Sequence, residues 1–137
     1  MSTKIFVNLP VKDLPRSKDF FTKIGFSFNP QFEDENAACM VITDDIYAML
    51  LVEPFFKTWI GKKEIADATT TSEALVALSF DSREQVDELV TKALASGGQE
   101  IGEVNDQGFM YGRSFQDLDG HIWEGIFMDM SAMPAEA

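Results

Sequence analysis

The chain of 137 residues has one cysteine and one histidine. A lone Cys39 cannot close an internal disulfide, which fits a reducing cytoplasm. Its setting, Ala37-Ala38-Cys39-Met40-Val41, reads as a small buried apolar residue rather than a nucleophile. A single imidazole leaves no zinc spacing and no Ser-His-Asp set, and His121 reads as a surface residue at the end of a turn. Basic residues are scarce as well, 11 against 23 acidic, for a formal net charge of -12. Such a surface repels a phosphate backbone, so nucleic acid is not a partner. No apolar run approaches the ~20 residues that span a bilayer, so no membrane contact is expected. Met1-Ser2-Thr3-Lys4 leads directly into a strand rather than a signal peptide, and the expected location is cytoplasmic. No phosphate-cradling loop is visible, because Gly97-Gly98 follows a helix and reads as a stop signal.

What the chain does have is 45% hydrophobic residues, enough for one domain with a real core. Twelve phenylalanines exceed what a small core requires and suggest aromatic surface. The negative charge serves solubility or attracts a cationic ligand.

Ile5–Val11 reads as a strand, and Asp13 caps a helix that tolerates Pro15 in its first turn. Ser17, Phe20, Phe21 and Ile24 share that helix's inner face, and Gly25 ends it. Phe26–Phe32, Ala37–Thr43 and Ile46–Glu53 read as three further strands. The stretch 54–72 breaks the pattern; Phe55, Phe56, Trp59 and Ile60 could face inward from a short helix. Then the order repeats. Glu73–Phe80 is a strand, and Ser82 with Gln85 makes a capping box. Val86, Leu89, Val90, Ala93 and Leu94 line the second helix. Gln99–Val104 is a strand, and Phe109–Met128 is a hairpin turning at Asp117-Leu118-Asp119-Gly120. Each half is β-α-β-β-β, with Val7-Asn8-Leu9-Pro10-Val11 matching Val76-Ala77-Leu78-Ser79-Phe80.

This repeat resembles the vicinal oxygen chelate superfamily of glyoxalases, bleomycin-resistance proteins, extradiol dioxygenases and fosfomycin-resistance enzymes. The residues that carry the resemblance are Val11-Lys12-Asp13-Leu14 with Ser17, Phe20-Phe21 and Gly25-Phe26, and Phe115 with Asp117-Leu118-Asp119-Gly120 and Glu124. It implies an α+β fold, the glyoxalase/bleomycin-resistance/dioxygenase fold. Two pseudo-symmetric β-α-β-β-β modules (about 1–53 and 73–130, connector 54–72) would form a cup-shaped mixed sheet in a single domain, 1–137, working as a homodimer. In metal-dependent members four ligands come from equivalent strands, two per module. Those positions fall here on Phe6, Leu75, Met49 or Leu50, and Glu124. Only Glu124 offers a donor, so no metal and no cofactor are expected.

Glu124, within an apolar strand, either contacts a ligand as a catalytic acid or base or forms a structural salt bridge. Strand parity puts Ile122, Ile126 and Met128 on its face and Trp123 on the other, and puts Asn8 with Phe6, and Ala77 and Ser79 with Leu75. Arg113, on one face with Tyr111 and Phe115, either clamps an anionic group or pairs with Glu124. Trp59 lids the cup, packs in a dimer interface or lies in the core. The ligand-contact candidates are therefore Asn8, Tyr111, Arg113, Phe6, Leu75 and Trp59. Two function classes follow. One is a binding protein for a small cationic or aromatic molecule. The other is a lyase, isomerase or dioxygenase-type enzyme using Glu124 with Arg113 and Tyr111. A purely structural role is the third.

Overall fold

A computed structural model describes residues 3–132. Two compact units divide at Met1–Asp67 and Ala68–Ala137, and each holds one four-stranded mixed sheet.

In unit 1, β1 (Ile5–Val11) leads to α1 (Leu14–Lys23). The Asp13 side chain accepts the Arg16 N–H at 3.1 Å, and Gly25 closes the helix at φ 114, where a side chain would be strained. The apolar positions of α1 recur on one side, so Leu14, Ser17, Phe20 and Phe21 are buried, with Ile24 just beyond. Burying each phenyl ring is worth about 1.5–3 kcal/mol. β2 covers only Ser27–Asn29, shorter than the expected Phe26–Phe32. Pro30 has no N–H for a ladder, and the Asn29 side chain accepts the Gln31 N–H at 2.9 Å, turning Pro30–Phe32 into a 3-10 helix. β3 (Ala37–Val41), β4 (Ile46–Val52) and the short α2 (Glu53–Lys57) complete the unit. The sheet order is β1-β4-β3-β2, with β1 and β4 parallel and the other pairs antiparallel.

Unit 2 repeats the order with β5 (Leu75–Phe80), α3 (Arg83–Ala95), β6 (Gln99–Asp106), β7 (Met110–Gln116) and β8 (Ile122–Met128). The Ser82 hydroxyl accepts the Gln85 N–H at 3.1 Å; the Gln85 carbonyl reaches one residue past the cap, to the Asp81 N–H at 2.8 Å. Val86, Leu89, Val90 and Ala93 are buried, but Leu94 is exposed, at the margin of the helix face. The sheet order is β5-β8-β7-β6, again with one parallel pair. Trp123 and Phe115 are neighbours across β7 and β8 and both are buried. Among the described residues no helix is long and apolar enough to cross a membrane.

The link between β7 and β8 is a five-residue loop held by Asp117, a residue the hairpin pattern marks only as a turn-former. Its carboxylate accepts the N–H groups of Asp119 (2.9 Å) and His121 (3.0 Å) and the Trp123 indole N–H (3.0 Å). His121 is half-buried rather than free on the surface, because this loop folds back on itself. Burial pushes the Asp117 carboxyl above its usual value, while the charge of His121 and the indole bond pull the other way.

Candidate functional site

Parity within each sheet assigns the candidates to faces. In unit 1, Phe6, Asn8 and Pro10 stand beside Tyr47, Met49 and Leu51, on the face away from α1. The short α2 packs onto β1 and β4. Between them lies a cavity of about 420 Å³ lined by Asn8, Leu51, Phe56, Trp59 and Ile60. Four of the five lining residues are apolar or aromatic, and Asn8 supplies the polar group, the usual balance for a small-molecule site. Trp59 is 71% exposed, so it is not a core residue; α2 ends at Lys57 and leaves the indole at the rim, edge-on to Phe55 with centroids 6.0 Å apart. The Asn8 amide N–H donates to the Phe6 carbonyl at 3.2 Å, which leaves its oxygen as an acceptor. Phe6 itself stacks on Tyr47, centroids 4.8 Å apart and planes within 10°.

In unit 2, Leu75, Ala77 and Ser79 stand beside Ile122, Glu124 and Ile126. Glu124 is half-buried there; the Ser114 hydroxyl donates to its carboxylate at 3.4 Å, and a methyl group added to Gly112 would lie 3.7 Å from Glu124 Oε2. The expected Glu124–Arg113 pair does not form. Arg113 stands opposite Gly125, Ser114 opposite Glu124, so the two charged side chains leave the sheet on opposite faces. Tyr111, level with Phe127, goes with Arg113 and likewise cannot assist Glu124.

Arg113 and Tyr111 instead belong to a network that seats α3 on β6 and β7. Arg113 donates to Asp87 at 2.9 Å and to Glu100 at 3.0 Å, and the Tyr111 hydroxyl donates to Asp87 at 2.5 Å. Arg83 makes a fork to Asp106 at 2.8 and 2.9 Å and lies 4.8 Å over the Tyr111 ring. Sequence reasoning missed Arg83 and Asp87; their i, i+4 spacing on α3 is the one local signal, and their partners on β6 and β7 depend on how the helix docks. The Arg83 fork holds the Asp106 carboxyl down at about 2, from a usual 3.8, and the Tyr111 hydroxyl lowers Asp87. A depressed carboxyl stabilises the fold above its unfolded value, and that contribution is lost as pH falls through the folded one. The urea midpoint of Asp106→Asn should therefore fall below wild type at pH 6, with the gap closing between about pH 4 and pH 2. A gap that persists unchanged at pH 2 would contradict the assignment.

The metal-ligand positions implied by the resemblance can now be placed. Ala77 pairs with Glu124 in unit 2 as Asn8 pairs with Met49 in unit 1, so Met49 is the equivalent of Glu124. Leu50 points to the α1 side and is fully buried. Phe6 (50% exposed) and Leu75 (65% exposed) are solvent-facing hydrocarbons. Among the described residues no three His, Cys, Asp or Glu side chains converge. These side chains do not fit a divalent ion, which needs several N, O or S donors.

Two four-stranded sheets, each a β-α-β-β-β repeat, define the glyoxalase/bleomycin-resistance/dioxygenase fold, that of the vicinal oxygen chelate superfamily. Residues 3–43 match the family of bleomycin resistance protein-like N-terminal domains. A hypothetical protein from S. aureus is 28% identical, with TM-score 0.76 over 93% of this chain and 95% of that one. A glyoxalase/bleomycin resistance protein/dioxygenase family enzyme from Burkholderia phytofirmans is 16% identical, TM-score 0.78, over 93% and 99%. A fosfomycin resistance protein from Listeria monocytogenes is 19% identical, TM-score 0.67, over 96% and 97%. None of the curated proteins is significantly similar in sequence.

Proposed function

We propose that this protein binds a small molecule in the cavity of unit 1, with Asn8 as its polar anchor and Trp59 as its rim, and without the metal of its metal-dependent relatives. The observation that carries this reading is the apolar cavity itself, edged by an exposed indole. The 1–137 domain of two modules would act as a homodimer, for which the exposed Leu75 and Met128 on one face of the unit 2 sheet give apolar contact area. The single buried cysteine supports a cytoplasmic setting.

Native mass spectrometry of protein purified from its own host tests this. Wild type should retain a small molecule, and Ile60→Trp, which fills the cavity, should not. Of the two tryptophans Trp123 is 1% exposed, so ligand binding should shift the emission of Trp59 alone. An empty wild type, or equal retention by both proteins, would overturn the reading.

A second reading, an acid or base role for Glu124, is favoured by a half-buried carboxylate that has Ser114 as its neighbour and no ion pair with Arg113. Glu124→Gln should then leave stability within about 0.5 kcal/mol of wild type. Its effect should add to that of Arg113→Met, since the two side chains share no partner. Coupling above about 1 kcal/mol in urea unfolding of the double mutant would show that Glu124 is structural after all.

A further inference from the structure

We infer that the Phe6–Tyr47 stack is the recognition surface for the ligand of this cavity, and that the ligand is a planar aromatic cation carrying an N–H donor. The inference rests on the cavity reading and names its ligand class. β1 is the outer strand of its sheet, so Tyr47 covers one face of the Phe6 ring and the other face looks past the sheet edge. The ring is half exposed yet held in place: Tyr47 lies parallel to it, and the Tyr47 hydroxyl donates to the Asp44 carbonyl at 2.7 Å. A rigid, exposed ring face costs little further ordering when a planar partner stacks on it.

Asn8 follows two residues along the same strand face, roughly 7 Å away. One of its two amide N–H groups is held by the Phe6 carbonyl, which orients the side chain, and the amide oxygen can then accept from a ligand N–H. A molecule lying on Phe6 with a donor at one end can therefore reach Asn8, the residue the stack's strand face shares with the cavity lined by Leu51 and Ile60. The charge follows from the ring quadrupole, which attracts a cation to its face, and from the net charge of -12. Lys4 does not oppose it as a free charge, because it pairs with Asp45 at 3.1 Å and lies over the Tyr47 ring. The positions that carry metal ligands in metal-dependent relatives thus hold, at Phe6, an aromatic face instead.

Calorimetric titration with three planar tricyclic probes tests the assignment. 9-Aminoacridine is cationic with N–H donors, 10-methylacridinium is cationic without one, and carbazole is a neutral N–H donor. 9-Aminoacridine should bind tightest, and Phe6→Leu should weaken it about tenfold while unfolding in urea as wild type does. 10-Methylacridinium should bind about fivefold more weakly than 9-aminoacridine, a difference that Asn8→Ala removes. Absence of 9-aminoacridine binding, unchanged affinity in Phe6→Leu, or preference for carbazole would overturn the inference. Ile60→Trp separates it from the cavity reading. Loss of binding in Ile60→Trp with none in Phe6→Leu leaves the cavity standing and removes the stack. The reverse pattern keeps the stack and removes the cavity.

Discussion

Asp117→Ala should lower the unfolding free energy by roughly 3–5 kcal/mol, because three donors lose the carboxylate that accepts them at once. The carboxylate is 6% exposed and takes two backbone N–H groups of its own loop and the indole N–H of the most voluminous fully buried side chain, Trp123. Each buried donor left without a partner costs about 1–3 kcal/mol, partly recovered where water enters the loop. Asp117→Asn keeps one acceptor oxygen but turns an NH2 group toward a donor, so it should lose less, about 1–3 kcal/mol. Burial raises the Asp117 carboxyl, so its ionised form weighs against the fold at neutral pH, and protonation relieves that cost as pH falls through the raised value. That slope is opposite to the one expected for Asp106. Urea unfolding at pH 7 reads the result, and an Asp117→Ala protein within 1 kcal/mol of wild type would show that the carboxylate does not hold the loop.

Gly120→Ala should be as damaging, about 3–5 kcal/mol, for a different reason. Gly120 has φ 94, where an alanine is strained by roughly 1–2 kcal/mol. Its added methyl would also lie 2.6 Å from the Ala68 carbonyl oxygen and 2.8 Å from the Thr69 nitrogen, backbone atoms that cannot rotate away. Gly108→Ala provides the control. It has φ 82 but open space around the added methyl, so only the dihedral cost of about 1 kcal/mol applies. Equal losses at the two glycines would mean that the approach of the 68–69 backbone is not what fixes Gly120.

Periodicity and capping chemistry made most of the elements readable in advance. Asp13, Gly25 and Ser82 act through bonds to residues within a few positions of themselves, so local sequence sufficed to place both helix ends. The alternation of β8 gave the faces of Trp123 and Glu124, because side-chain direction along a strand is fixed by parity alone. The repeat gave the fold, since two like patterns of strand and helix have few ways to bury their apolar faces. Asn8 and Trp59 were on the candidate roll, and both line the cavity.

What the residues could not reveal was partnership across elements. Arg113 was a fair partner for Glu124 in sequence, but the β7/β8 register sets it against Gly125 and hands it to Asp87 and Glu100. Register likewise decided that Met49, not Leu50, corresponds to Glu124. The early end of α2 decided that Trp59 is a rim residue rather than core. Asp117 looked like a turn-former and proved to be a buried acceptor, because its three donors converge only after the loop folds back against Trp123. Local rules act through neighbours in the chain and are written there; register and docking are settled by the packing of whole faces, and only the folded chain contains them.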